Sequence, residues 1–176
     1  MKQTYTIDLS TKDISGLKKD LEDYKKWMAK KSDELCRRLA EIGVQKATLN
    51  FSSALYDGIN DVVVEPPKQA GDAWIVRASG STVLFIEFGT GVHYPNAPLG
   101  EYKDANNMVH GSYGRGLGKN DYWFYTGQPG NAGGELAYGH GNTTITHGNP
   151  PNMSMYTTVK ELEQELARVV KEVFEL

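Results

Sequence analysis

Leu17, Leu21, Tyr24, Met28, Leu35, Leu39 and Ile42 recur at spacings of three, four and seven. This stripe limits the fold more than any other feature, because the period puts all of these side chains on one helix face that something must cover. Thr11 and Asp13 precede it as candidate N-caps. The pattern predicts a helical region over 13–48, with Lys30-Lys31-Ser32 as the place where a break would fall. Eleven of the chain's nineteen basic residues lie in the first 48 positions, interleaved with eight acidic ones, so this region reads as a salt-bridged, solvated surface. No basic block stands free of neighbouring acids to suggest a nucleic-acid surface.

A second stripe, Met155, Val159, Leu162, Leu166, Val169 and Val173, follows Asn149-Pro150-Pro151-Asn152 and predicts a C-terminal helix over 152–176 beside the first. Glu161, Glu163, Glu165 and Lys171 fall off that stripe. Tyr5, Ile7 and Leu9 alternate with polar residues, the period of a short strand within 1–10. Three strand-like runs, Val62–Glu65, Ala73–Ala78 and Thr82–Phe88, are separated by short turn-forming segments and predict an antiparallel meander over 61–89. The last run passes into Gly89-Thr90-Gly91, and Glu87 stands in it as a carboxylate that must find solvent, a backbone donor or another subunit. The expected fold is α+β: a small antiparallel sheet packed against a long N-terminal helix and a C-terminal helix in one domain, 1–176.

Fourteen of the nineteen glycines and all four histidines lie between Gly89 and Gly148. Residues 90–150 are therefore expected to be a long loop region, with Tyr122–Thr126 as a short aromatic strand and Thr143–Thr146 as its weaker companion. Net charge is −3 and the pI is near 5.8, so no overall field draws the chain to nucleic acid or an anionic membrane. Cys36 is the single cysteine, which rules out an internal disulfide; its place near the helical stripe, without an adjacent histidine, predicts a small buried or half-buried thiol. The first residues lack the apolar stretch of a signal peptide, and no run of about 18 apolar residues exists to span a bilayer, which together suggest a cytosolic product.

Chemistry-bearing patterns are weak. His93, His110, His140 and His147 lack the tight local spacing of a catalytic metal site. Glu87 would pair with Asp57 or Asp61 only if the fold joined them. The glycines of 111–119 match neither the spacing nor the context of a phosphate-binding loop. The expectation is a protein with no catalytic residues, metal or cofactor.

A long amphipathic helix, a small β-region ending in Ile86-Glu87-Phe88-Gly89-Thr90-Gly91, an aromatic Trp123-Phe124-Tyr125 segment, and Thr146-His147-Gly148-Asn149-Pro150-Pro151 before a last helix form one pattern. Over roughly residues 13–176 it resembles the head-tail joining proteins (neck, tail-completion or minor tail components) of long-tailed double-stranded DNA bacteriophages. The chain departs from the family where typical members carry Pro-Phe and Pro-Ala in the first helical turn, having Asn152-Met153-Ser154-Met155 and Thr157-Thr158 instead. The resemblance implies a non-enzymatic virion protein at the head-tail junction, assembled in the host cytoplasm. It would form a homo-oligomeric ring between head-closure or adaptor proteins and tail-terminator or tail-tube proteins, and DNA would pass through without sequence-specific binding. Glu87, Phe88, Gly89, Thr90, Gly91, Trp123, Tyr125, His147, Pro150 and Pro151 are the structural or interface candidates. Two other readings remain: a metal-assisted hydrolase using the loop histidines, and a carbohydrate- or peptide-binding module using Tyr94, Tyr102, Tyr113, Tyr122, Trp123 and Tyr125.

Overall fold

The computed structural model describes residues 11–90, 122–139 and 141–175, without the side chains of 11–13 and 123. The strand expected within 1–10 lies outside them. Helix α1 runs unbroken from Thr11 to Ser52, a length of about 63 Å at 1.5 Å per residue. Lys30-Lys31-Ser32 does not interrupt it, since neither Gly nor Pro is present there to cost the helix a hydrogen bond. Helix α3, Ser154–Phe174, lies antiparallel alongside the C-terminal part of α1. The direction is set by partners that run in opposite order: Lys31 with Glu175, Arg38 with Glu172, Lys46 with Glu161 and Asn50 with Thr158.

These exposed pairs fix register more than they add stability. Burial of Ala40, Ala47, Val169 and Val173 supplies the apolar contribution. Gly43 permits the approach, because a Cβ there would lie 3.3 Å from both Leu162 Cδ1 and Val76 Cγ2. Cys36, expected to be at least half-buried, is exposed; it falls between the stripe positions Leu35 and Leu39, on the outward side of α1.

A twisted hairpin packs on α1. Strand β1, Val63–Val64, pairs antiparallel with β4, Ala78–Ser79, and β2, Lys68–Ala70, pairs with β3, Ala73–Ile75, across the Gly71-Asp72 turn. Between the two ladders Glu65 N–H donates to the Arg77 carbonyl at 2.8 Å, so the prolines at 66 and 67 interrupt one ribbon. Asp33 of α1 anchors it, accepting from Trp74 Nε1 at 2.9 Å and Gln69 Nε2 at 3.1 Å.

The run expected as the last strand is instead a six-residue helix, α2, Val83–Phe88. A short continuous apolar run fits a buried helix or a buried strand equally well, and the residues before it decide. Asp61 accepts from the N–H and hydroxyl of both Ser81 and Thr82 and turns the chain there, out of line with β4. Ile86 of α2 is fully buried with Phe51 and Ala54, and Tyr56, Val62, Val64, Ala78, Val83 and Met155 surround this core. The fold is α+β.

Part of the predicted loop region is a three-stranded antiparallel sheet in the order β5-β7-β6: β5 is Trp123–Thr126, β7 is Thr143–Thr146 and β6 is Glu135–Leu136. Trp123 faces Thr146 and Thr126 faces Thr143 in the register. Strand β6 was not expected, since two exposed residues among glycines carry no period. No helix among the described residues is long and apolar enough to cross a membrane.

Two substitutions test this packing. Gly16 lies in α1 with open space where a Cβ would be, so Gly16→Ala is expected to stabilise the fold by about 0.5–1 kcal/mol. Gly43→Val, which drives two methyls into Leu162 and Val76, is expected to destabilise it by about 1–3 kcal/mol. Urea titrations of both variants read the opposite signs.

Candidate functional site

The two segments that carry the resemblance are separated by more than fifty residues and meet in one buried junction. Gly89 has φ +70°, and a Cβ there would stand 2.6 Å from Pro151 N and 2.8 Å from the Asn149 carbonyl, so no other residue fits. Thr90 and Asn149 then form a two-way bridge: Thr90 N–H donates to the Asn149 carbonyl at 2.9 Å, and Asn149 N–H donates back at 3.1 Å. The Asn149 side-chain amide also donates to Thr90 Oγ1 at 3.0 Å. The last carbonyls of α2 are occupied in turn, that of Ile86 by Asn152 N–H and that of Glu87 by Met153 N–H.

Glu87 completes the junction. It is 5% exposed, and its carboxylate accepts from Met155 N–H at 2.8 Å and Tyr156 N–H at 3.2 Å, the first turn of α3. Of the three fates open to this carboxylate, it takes the backbone donor, and the donors lie in α3. Met153, at the N-cap position, has φ 55° and offers no side-chain cap, so a carboxylate from another helix satisfies amides that α3 cannot cap itself. Burial raises the Glu87 pKa above its ordinary value, and the hydrogen bonds from Met155, Tyr156 and Ser154 work against that rise without cancelling it.

Asp57, just beyond α1, ties the same junction to the second sheet. It is buried; Thr146 Oγ1 donates to its Oδ2 at 2.6 Å, Gly134 N–H donates to its Oδ1 at 2.9 Å, and its own N–H donates to Asn149 Oδ1 at 2.6 Å. Asn131 and Tyr56 exchange hydrogen bonds beside it. On the helical side Asn152 Nδ2 donates to the Asn50 carbonyl at 2.8 Å, and Asn50 Nδ2 donates to Thr158 Oγ1 at 3.0 Å.

Of the candidates named from the sequence, Glu87, Phe88, Gly89, Thr90, Pro150 and Pro151 come together here. Tyr125 is half-buried in β5, its hydroxyl donating to the Gln128 carbonyl at 2.9 Å. Trp123 has a place in β5 by its backbone alone. His147 is exposed, edge-on to Tyr122 with ring centres 6.3 Å apart. Gly91, His93, His110, His140, Tyr94, Tyr102, Tyr113 and the glycines of 111–119 lie outside the described residues.

Glu87, Asp57 and Asp61 do not form a carboxylate pair; each is engaged by its own set of donors. No group of three His, Cys, Asp or Glu residues among those described is placed to hold a metal ion. Thr146, Asn149 and Asn152 sit in segments quoted from the sequence without individual roles, and Asp57 was weighed there only as a carboxylate partner for Glu87. No protein-family model, curated protein or solved structure matches the chain.

Glu87→Ala strips two buried amides of their acceptor and is expected to cost about 2–3 kcal/mol. Glu87→Gln keeps one acceptor oxygen and is expected to cost less. Because the folded pKa of Glu87 is raised, protonation favours the folded state. The wild type should gain stability relative to Glu87→Gln as pH falls from the raised value to the ordinary 4.5, and the difference should stay constant below it. Asp61 has the opposite sign. The hydroxyls of Thr82 and Ser81 hold its pKa far below the ordinary 3.8, so its contribution is present above that value and is lost as pH falls beneath it. Asp61→Asn should flatten that acid-side loss in a denaturant series between about pH 5 and pH 2, an interval that brackets the ordinary aspartate value.

Proposed function

We propose that this chain is a structural subunit of the head-tail connector of a long-tailed double-stranded DNA bacteriophage, a neck or tail-completion component that assembles as a ring. The observation that carries the reading is the junction itself. The resemblance depends on the Glu87–Gly91 element occurring together with the Thr146–Pro151 segment, and those two distant segments are bonded to each other through Thr90 and Asn149. A pair of motifs with a shared structural purpose is a better mark of kinship than two coincident short strings.

The physical character of the chain agrees. Among the described residues the buried apolar ones are few, and large apolar side chains such as Ile14, Leu21, Leu49, Ile59 and Leu84 are exposed, which suits a subunit that completes its burial against neighbours. The balance of charge, −3, lacks the surplus of Lys and Arg that gives non-specific affinity for phosphate, so DNA would slide past such a ring.

Negative-stain images are expected to contain rings, formed by the purified chain alone or only after its portal-side and tail-side neighbours are added. A protein that stays dispersed in every such mixture would overturn the reading. DNA-binding titrations at low salt are expected to show weak binding; tight, steeply salt-dependent binding would count against a passive lumen.

A further inference from the structure

Helix α1 outreaches α3. The end of α3 meets α1 where Phe174 packs edge-on against Trp27, with ring centres 5.9 Å apart, so residues 11–26 continue past their helical partner by about 24 Å. The apolar stripe does not stop there. Ile14, Leu17, Leu21, Tyr24 and Met28 keep alternating spacings of three and four, the a and d positions of a heptad, and Leu35 and Ile42 continue its a positions beside α3. Met28, Leu35 and Ile42 are half-buried, whereas of the four stripe residues beyond α3 only Leu17 is half-buried and Ile14 is 52%, Leu21 52% and Tyr24 49% exposed. One stripe is thus covered by α3 over half its length and, among the described residues, mostly exposed over the other half.

We propose that this exposed half is a self-association surface, on which the same segment of a second copy docks parallel and in register. The charges beside the stripe choose both the occupant and its direction. Lys18 and Lys25 hold e positions and Asp20 a g position, and none of the three has an ion pair within the described residues. In a parallel pair, position g of one helix faces the next e of its partner, which sets Asp20 opposite Lys25 twice by symmetry. An antiparallel pair would set Lys18 against Lys25, like charge against like. The segment is already helical as a continuation of the packed half of α1, so association does not have to nucleate it. The surface lies on α1 alone and is independent of the phage reading, since a two-fold pair closes on itself and does not by itself propagate round a ring.

The test is sedimentation velocity on the full chain, with a disulfide readout of direction. The wild type is expected to self-associate with rising concentration, and Leu21→Asp to be monomeric with an unchanged circular dichroism spectrum. Lys25→Glu places like charges at both flanking pairs and should weaken association by about tenfold, while Asp20→Lys with Lys25→Glu should restore it. In a Cys36→Ser background, Ile14→Cys should oxidise to a dimer, since antiparallel pairing about Leu21 would hold the two thiols about 20 Å apart.

A wild type that stays monomeric, association that survives Leu21→Asp, or failure of the charge swap to rescue would each overturn the proposal. Dimers that survive Leu21→Asp while rings still form would remove this surface and leave the connector reading standing. Dimers that never form rings, with or without the neighbours, would do the reverse.

Discussion

A single carboxylate, that of Glu87, holds the first amides of α3, and the arrangement of the helices depends on it. A helix N-terminus carries partial positive charge and unpaired donors, and burying it without an acceptor is costly. Most helices solve this with the residue before them, but Met153 cannot serve. The acceptor comes from α2, which forces α2 to sit at the foot of α3 and places Ile86 in the core with Phe51 and Ala54. The packing of three helices is coupled through one buried acid.

Around that acid the junction is mostly polar. Asp57, Thr90, Thr146, Asn149, Ser154 and Thr158 are buried, and among the described residues the buried apolar core beside them is small. Satisfied polar networks of this kind contribute modestly to net stability and strongly to uniqueness, because any alternative arrangement leaves donors or acceptors stranded in low dielectric. The ends of α1, α2 and α3 and the turn leading from β7 are thereby held in one arrangement.

Both long helices were legible in the sequence because their period of burial is sustained over many turns, and the aromatic strand with its Thr-rich companion was legible from composition. The stretch from Val83 to Phe88 was misread for a local reason: its period is ambiguous, and the deciding partner, Asp61, lies some twenty residues away. A carboxylate inside an apolar run marked Glu87 in the sequence, yet its partners at Met155 and Tyr156 are nearly seventy residues downstream, beyond any spacing rule. Gly89 and Pro151 were marked by residue type, whereas the meaning of each depends on the other.

The Thr90–Asn149 bridge has a consequence for how such a chain can diversify. It fixes the chain just before residue 91, and the ladder between β5 and β7 fixes it again just after residue 122, so both stems of the intervening segment are anchored independently of what lies between them. The entropy of closing a segment rises only with the logarithm of its length, and a doubling costs about 0.6 kcal/mol. At those stems a change in the length of chain that joins them adds only this logarithmic closure cost. Substitution of Gly89, Thr90 or Asn149, by contrast, would release a stem whatever the length of chain between the two.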